Sequence, residues 1–419
     1  MTRVVIVGGG FAGLYAAKNM GMPPFDVTLI DRRNFHLFQP LLYQVATGAL
    51  SPGEVASPLR HVLSKQRNTE VLLGDVIDFD IANRYVIMAT GAIPYDELIV
   101  ATGSTHSYFG HDEWPALAPG LKTVEDATEI RSRVLRAFEL AECETDPDRR
   151  HALLSFVIVG GGPTGVELAG ALGEIANDTL RHDFRRINPA EAQIQLVEGD
   201  DRLLTAFPPD LSAKAEQQLI ALKVRPRTGA RVVAIDPDGV VIRTEAGDER
   251  IPAKTVLWAA GVKASPLGKL IADRTGIAPD RMGRLPVQPD LTLAGHPEIH
   301  IAGDLANYPH QTGSPLPGVA PVAMQQGRYA AQHIRARLQG RTLPPFHYRD
   351  KGNLATIGRN KAVGVIANLH LSGFPAWFVW VFVHLMYLVE FENRMLVLME
   401  WVFNYITRNR GARLITGKP

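Results

Sequence analysis

A single cysteine, Cys143, stands in a chain of 419 residues. One thiol cannot close an intrachain disulfide, build a Cys-rich metal site or run a dithiol relay, so those three chemistries are excluded. Charge of either sign is not in excess. The 44 Lys and Arg against 43 Asp and Glu leave a formal charge of +1, without the basic surplus of a nucleic-acid binder. No nucleic-acid partner and no metal are expected. What is present is apolar matter: 46% hydrophobic and 21% charged residues read as globular. The length exceeds one ordinary core, so two or three domains are expected. The first strand-like run, "RVVIVGGG", begins at Arg3 and leaves no room for a signal or transit peptide. A cytoplasmic, bacterial chain is therefore the default expectation.

The sequence contains an internal echo. "VVIVGGGFAGLYAA" near the start is matched by "FVIVGGGPTGVELAG" from Phe156, each a β-branched run, then G-x-G-x-x-G, then a helix-like stretch. The glycines have separate tasks. Gly8 and Gly160 permit the tight turn, Gly10 and Gly162 let a pyrophosphate approach the backbone, and Gly13 and Gly165 let helix pack on strand. The phosphates then face the free N–H groups of a helix N-terminus. Each copy is followed by a second apolar strand ending in an acid, "DVTLID" to Asp31 and "IQLVEG" to Glu198. A carboxylate there accepts hydrogen bonds from ribose hydroxyls and repels a 2′-phosphate, so Glu198 favours NADH over NADPH. Arg202, close by in sequence, weakens that inference.

Two further segments assign the nucleotides. "LIVATGS" (Leu98 to Ser104) and "EIHIAGDLA" (Glu298 to Ala306) resemble the second and third flavin-contact motifs of two-dinucleotide-binding flavoproteins. The resemblance implies that Asp304 bonds the ribityl chain. FAD then sits with Gly8, Gly10, Phe11, Ala12, Gly13, Asp31, Arg32, Ala101, Thr102, Gly103, Asp304 and Gln325. NADH sits with Gly160, Gly162, Pro163, Thr164, Gly165, Glu167, Glu198, Ala260 and Gly261. "VLWAAGV" (Val256 to Val262) resembles the strand by which the NADH domain rejoins the flavin domain. The expected class is α/β, with two Rossmann-like dinucleotide-binding domains and a C-terminal amphipathic helical region. The expected limits are 1–115 and 285–345 for the flavin domain, 120–280 for the inserted NADH domain, and 346–419 for the C-terminal region.

That last region is apolar. From Phe374 to Val389 no residue carries a formal charge if His384 is neutral. The roughly fifteen helical residues beyond Pro375 would span ~22 Å, short of the ~30 Å of a bilayer core. Glu390, Glu392 and Arg394 then interrupt, and a charged side chain at mid-bilayer costs about 2.5–3.5 kcal/mol. Spanning is not expected. From Met395 onward, Glu400, Asn404, Thr407 and Arg408 share one helical face. Met395, Leu398, Met399, Val402 and Ile406 occupy the other, followed by the basic Arg410, Arg413 and Lys418. Such a pair can lie in the headgroup region as a monotopic dock, or pack against a second subunit as a dimer core. Both readings stay open.

With these features the chain resembles a bacterial type II NADH:quinone oxidoreductase, most specifically through "FQPLLYQVATG", "GGGPTGVELAG", "LPGVAPVAMQQG" and the tail "LSGFPAWFVWVFVHLMYLVEFENR". The resemblance implies a non-proton-pumping enzyme on the cytoplasmic side of the cell membrane. It would pass electrons from NADH through FAD to a membrane quinone, ubiquinone or menaquinone, and be a homodimer at the lipid surface. It assigns Glu167 to the vicinity of the nicotinamide and flavin; the residue could also be an ordinary first-turn acid. The family's quinone-site pattern is A-Q-x-A-x-Q. Ala320, Ala323 and Gln325 fit it, whereas Pro321 replaces the first glutamine and cannot donate a hydrogen bond. Gln39, Pro40 and Tyr43 would come from a loop near the quinone side. His36 and His384 read as packing residues, and Lys361 as a solvated hairpin charge. Glu390 and Glu392 depart from the family's basic residue there. Sulfide:quinone oxidoreductases and disulfide reductases need cysteines that this chain lacks, and a ferredoxin or rubredoxin reductase has no use for the tail. The alternatives left are another NAD(P)H-dependent flavin reductase, or a membrane-bound NADH-responsive flavoprotein without quinone turnover.

Overall fold

The computed structural model describes residues 1–416, the side chain of Phe391 excepted, so Lys418 lies outside the described residues. The chain divides into two compact units: 1–37, 56–105 and 262–350 form the first, and 38–55, 106–261 and 351–419 the second.

In the first unit the run Thr2–Val7 forms the middle of a six-stranded sheet. The order is Thr292–Leu293, His296–Ile301, Glu97–Val100, Thr2–Val7, Phe25–Asp31, Thr69–Leu73. All neighbours are parallel except the outermost pair at Thr292–Leu293. Val4 to Val7 are buried on both faces, as an unbroken β-branched run in a parallel sheet requires. Helices Phe11–Lys18 and Ala320–Leu338 pack together where Gly327 has no Cβ, since one there would run into the Ala12 carbonyl.

The second unit repeats the plan at smaller scale. Its parallel sheet runs Val224–Arg227, Gln193–Val197, Ser155–Val159, Thr255–Trp258. Helix Val124–Cys143 is held at its start by a Thr123–Asp126 capping box, and Pro163–Glu174 follows the second glycine motif. An antiparallel meander, Asn353–Gly358, Lys361–Ile366 and Leu369–Ser372, leads to helices Phe374–Tyr387 and Phe391–Thr407.

The compact units differ from the sequence-based limits at several places: 106–115 falls in the second unit, 346–350 in the first, and three longer stretches change as well. The C-terminal region clusters with the nucleotide helix of the second unit, because Gly170 lets the Ile357 carbonyl lie against that helix. Residues 262–284 belong to the first unit, where Gly268 packs under Leu305 and Arg274 pairs with Asp78. Segment 38–55 belongs to the second and contains a helix, Leu42–Ala46, where a loop was expected.

Candidate functional site

Both glycine motifs have the geometry their spacing predicts. Gly8 and Gly160 sit at φ +105° and +108°. A Cβ at Gly13 would strike the Gly8 carbonyl, and one at Gly165 the Gly160 carbonyl, so helix meets strand only through glycine. Gly10 and Gly162 face open space. The acids repeat as well. Asp31 Oδ2 accepts the Gly9 N–H at 2.5 Å and its Oδ1 the Arg33 N–H at 2.7 Å. Glu198 Oε2 accepts the Gly161 N–H at 2.5 Å and its Oε1 the Asp200 N–H at 2.9 Å. Each carboxylate is thus fixed over its glycine turn with lone pairs left for a ribose. Burial raises the Asp31 pKa, opposed by those two backbone N–H groups. Arg202 is turned inward, donating to the Phe207 and Thr205 carbonyls and to Ser212 Oγ, each at 2.8 Å. Its guanidinium is thus committed to three neighbouring oxygens.

In the first unit the residues present fit FAD. The Thr102 hydroxyl is buried without a hydrogen-bond partner, beside the Gly8 turn whose Cβ space the Ala101 carbonyl fills. Ser104 Oγ donates to Asp304 Oδ2 at 2.5 Å, and Gly318 leaves room against that carboxylate. Ser104, Asp304 and Gly318 border a small cleft of about 80 Å³ together with Gly303 and Gln326. Here the structure corrects one expectation. Gln325 is not aimed at this cleft: its amide donates to the Arg349 carbonyl and accepts the Arg349 N–H, both at 3.0 Å. One residue on, Gln326 is 1% exposed and accepts the Gly303 N–H at 2.7 Å. A step of one residue turns the side chain by about 100° around a helix. Pro321 occupies the first turn of the same helix, where its missing N–H leaves no intrahelical bond unmade.

The second unit holds a cavity of about 510 Å³, within the size range of small-molecule sites. Glu167, Ala171 and Glu174, at i, i+4 and i+7, present one face of the nucleotide helix to it. Tyr43, Gln44 and Ala49 come from the 38–55 segment, and Trp377, Trp380, Trp401 and Val402 from the two C-terminal helices. Of the expected quinone residues only Tyr43 lines this cavity; Gln39 and Pro40 do not, and Pro321 and Gln325 belong to the first unit. Gln44, Trp377, Trp380 and Arg410 lay within quoted or named segments but were given no role at this cavity, and Trp401 was singled out by no motif. Gln44 Nε2 donates to the Tyr43 hydroxyl at 2.9 Å, and Trp401 Nε1 donates to Gln44 Oε1 at 2.7 Å. The Tyr43 hydroxyl therefore keeps its own proton for another acceptor.

Glu167 lies beyond the first helical turn, so a helix-dipole role does not account for it. Burial pushes its carboxyl up to about 8; the Thr356 backbone and the Trp380 indole pull the other way. What surface it retains opens on the cavity. The Trp380 Nε1–H makes no hydrogen bond of ordinary geometry although the residue is 2% exposed. At the far end Arg410 donates to Glu174 Oε2 at 2.9 Å and to the Thr47 carbonyl at 3.3 Å. His384 stacks on Trp380 at 4.2 Å and contacts the Trp380 carbonyl at 2.7 Å, its pKa lowered by burial to about 4. His36, likewise lowered to about 4, holds the Gly9 carbonyl at 3.0 Å. Both rings are held neutral and have backbone partners, His36 fully buried and His384 partly so.

The two terminal helices turn their apolar faces outward. Phe374, Phe378, Phe382 and Met386 form an i, i+4, i+8, i+12 stripe, each at least half exposed. Met395, Met399, Val402, Phe403 and Ile406 make a second stripe, whereas Asn393 and Val397 are buried and Asn404 reaches the Ala49 carbonyl. No helix among the described residues is long and apolar enough to cross a membrane. Glu390 occupies the N-cap position of the second of these helices and Glu392 lies in its first turn, where the dipole favours acids, which gives the departure a local reason. Among the described residues no cluster suited to a metal ion occurs.

Comparison with known proteins accords with this geometry. The family described as pyridine nucleotide-disulphide oxidoreductase matches residues 2–327, and the NDH2 C-terminal domain matches 351–409. The chain is 45% identical to the type II NADH:quinone oxidoreductase NdhA of Mycobacterium tuberculosis, over 99% of this chain and 90% of that one. It is 43% identical to the Ndh protein of the same organism, with the same coverage. Among solved structures, NDH2 from Plasmodium falciparum in complex with NADH superposes with a TM-score of 0.89 at 20% identity, covering 99% of this chain and 100% of that one. The sulfide:quinone oxidoreductase of Aquifex aeolicus follows with a TM-score of 0.76 at 19% identity, covering 94% and 92%.

Proposed function

Since this chain belongs to the type II NADH:quinone oxidoreductase family, we propose that the 510 Å³ cavity under its terminal helices receives the quinone that takes electrons from NADH by way of FAD. One observation carries the reading. The helix that begins at the NADH glycine turn is the helix whose Glu167, Ala171 and Glu174 line an aromatic cavity roofed by the apolar tail.

The roles divide by unit. The first is the flavin domain, holding FAD through Gly8, Gly10, Phe11, Ala12 and Gly13, with Asp31 and Arg32 at the ribose. Ala101, Thr102 and Gly103 would complete the flavin cradle and Asp304 would bond the ribityl chain, with Gln326 in the place expected of Gln325. When bound, FAD supplies the two-electron carrier between nicotinamide and quinone. In the second unit Gly160 to Gly165 seat the NADH pyrophosphate, Glu198 takes the adenine ribose, and Ala260 and Gly261 border the nicotinamide half.

Quinone reduction consumes two protons, and the cavity offers groups that hold them. With burial raising its pKa to about 8, Glu167 keeps its proton at neutral pH, so its carboxyl can donate to a quinone oxygen. The Tyr43 hydroxyl and the Trp380 Nε1–H are the neighbouring donors. Tryptophan faces exclude water from the headgroup and pack an isoprenoid chain.

The exposed stripes support a monotopic dock. A phenyl ring burying ~100 Å² in lipid gains roughly 2.5 kcal/mol at ~25 cal/mol/Å², so a few rings suffice to hold the protein on a bilayer. The docked face lies on the cytoplasmic side, where NADH is available. A homodimer could cover part of the same stripes and can coexist with the dock, and sedimentation mass in detergent-free buffer tests for it. The test of the reading as a whole is NADH oxidation by the holoenzyme in vesicles loaded with a long-chain quinone. Quinol formation matched one to one with NADH supports it. NADH oxidation that reduces only oxygen or ferricyanide refutes it.

A further inference from the structure

Phe109 occupies a place that neither the glycine motifs nor the cavity uses. The residue is 69% exposed although its ring meets that of Trp258 at 6.2 Å, and its backbone is held at φ +53°. A bulky side chain at positive φ is strained, and strain of this kind persists where the surroundings or a function demand it. Beneath it the support is rigid. Tyr108 stacks on Trp258 at 5.0 Å, Trp114 meets Trp258 at 5.5 Å, and all three are buried. The Trp258 Nε1–H donates to the Ser107 carbonyl at 3.0 Å, and the Ser107 N–H donates to the Gly261 carbonyl at 3.2 Å. These bonds fix the 107–110 segment to the end of strand Thr255–Trp258. Phe109 then rests its ring on Gly261, itself at φ +73°; a Cβ there would stand 2.5 Å from Phe109 Cζ. Gly261 is glycine for two reasons: its backbone angle and the ring lying on it.

The sheet order says what that spot faces. Glu198 follows strand Gln193–Val197, the glycine turn follows Ser155–Val159, and Gly261 follows Thr255–Trp258, in that lateral sequence. A dinucleotide with its adenine ribose at Glu198 and its pyrophosphate at Gly160 to Gly162 reaches the end of the third strand with its nicotinamide half. We propose that Phe109 is the aromatic clamp of the nicotinamide half of NADH, its exposed ring lying on Gly261 until the dinucleotide arrives and then packing against the nicotinamide ribose or ring. Phe109 is a positioning residue: it transfers neither proton nor electron. Its effect is to hold the reactive end of a ligand whose other anchors are chiefly at the adenosine and pyrophosphate.

The inference rests on the NADH reading of the 160–165 turn, and the experiment separates the two. Binding of NAD⁺ and of ADP-ribose, which lacks the nicotinamide, is measured by calorimetry on the holoenzyme and on the Phe109→Ala and Phe109→Tyr variants. Loss of one aromatic packing contact predicts NAD⁺ binding about fivefold weaker in Phe109→Ala, with ADP-ribose unchanged within twofold and Phe109→Tyr close to wild type. In stopped flow, Phe109→Ala should raise the NADH concentration for half-maximal flavin reduction. Equal weakening of both ligands would mean a merely structural role and overturn the proposal, as would no change in either. Failure of ADP-ribose to bind the unaltered enzyme would instead overturn the NADH reading itself.

Discussion

Replacing Glu167 by Gln tests the proton-holding role directly, because Gln copies the shape of the neutral acid and cannot ionise. The carboxyl titrates near 8 in the folded protein against 4.5 for an ordinary glutamate. The sign follows from which state holds the proton. Between pH 4.5 and about 8 the folded protein keeps a proton that the unfolded chain has released. The stability this group contributes is therefore complete below pH 4.5 and is lost as pH rises through about 8. The slope is at most about 1.4 kcal/mol per pH unit. Water entering the cavity reduces it, so from pH 6 to 8 wild type should lose roughly 2 kcal/mol relative to Glu167→Gln. On a protein of this size that is a shift of a few degrees in the thermal midpoint. The assay is thermal unfolding of the two holoenzymes from pH 6 to 9, with infrared spectra of the protonated carboxyl as a second readout. The gap in midpoint should widen with pH and level off above about 8, and the carboxylic C=O band should be missing from the variant. Quinone-linked turnover of wild type should fall over the same range and be low throughout in Glu167→Gln. Parallel unfolding profiles would refute the reasoning, because the group would then not hold its proton at neutral pH.

Two other changes probe the neighbouring assignments. Glu198→Ala should lose the ribose hydrogen bonds and the repulsion of a 2′-phosphate, narrowing the preference for NADH over NADPH by roughly tenfold or more, measured as the ratio of kcat/KM values; an unchanged ratio would remove Glu198 from the site. Phe378→Glu with Phe382→Glu, both on the exposed stripe and away from the cavity, should release the protein from vesicles while NADH:ferricyanide activity persists. Retention on the vesicles would contradict the dock.

The glycine turns and their acids were legible in the sequence because every part lies within about forty residues and each glycine has one steric task. Gly13 and Gly165 could be assigned from spacing alone, and the carbonyls they abut are those of Gly8 and Gly160. The cavity was legible only in fragments. Tyr43, Glu167 and the Trp-rich tail were each visible, but Gln44 bonded to Trp401 and Arg410 bonded to Glu174 join residues more than two hundred positions apart. No local pattern encodes such pairs. Gln325 failed for a different reason. The "MQQG" stretch offers two adjacent glutamines, and which one points inward depends on how helix Ala320–Leu338 is rotated, a rotation fixed by Gly327 meeting Ala12. The direction of the tail's apolar face was legible from periodicity. That the face stays open is a property of the folded chain.

The cavity as the quinone site is the central claim, and one substitution bears on it most directly. Ala49 lines the cavity, its carbonyl accepting from Asn404, and Gly160 to Gly165 are not among the lining residues, so Ala49→Phe should fill the space without touching the NADH cradle. The measurement is the ratio of NADH:quinone to NADH:ferricyanide turnover in vesicles. The account predicts that the quinone rate falls at least tenfold while the ferricyanide rate and the yellow flavin content stay at wild-type levels. An unchanged ratio, with the filled cavity verified by a structure of the variant, would contradict it.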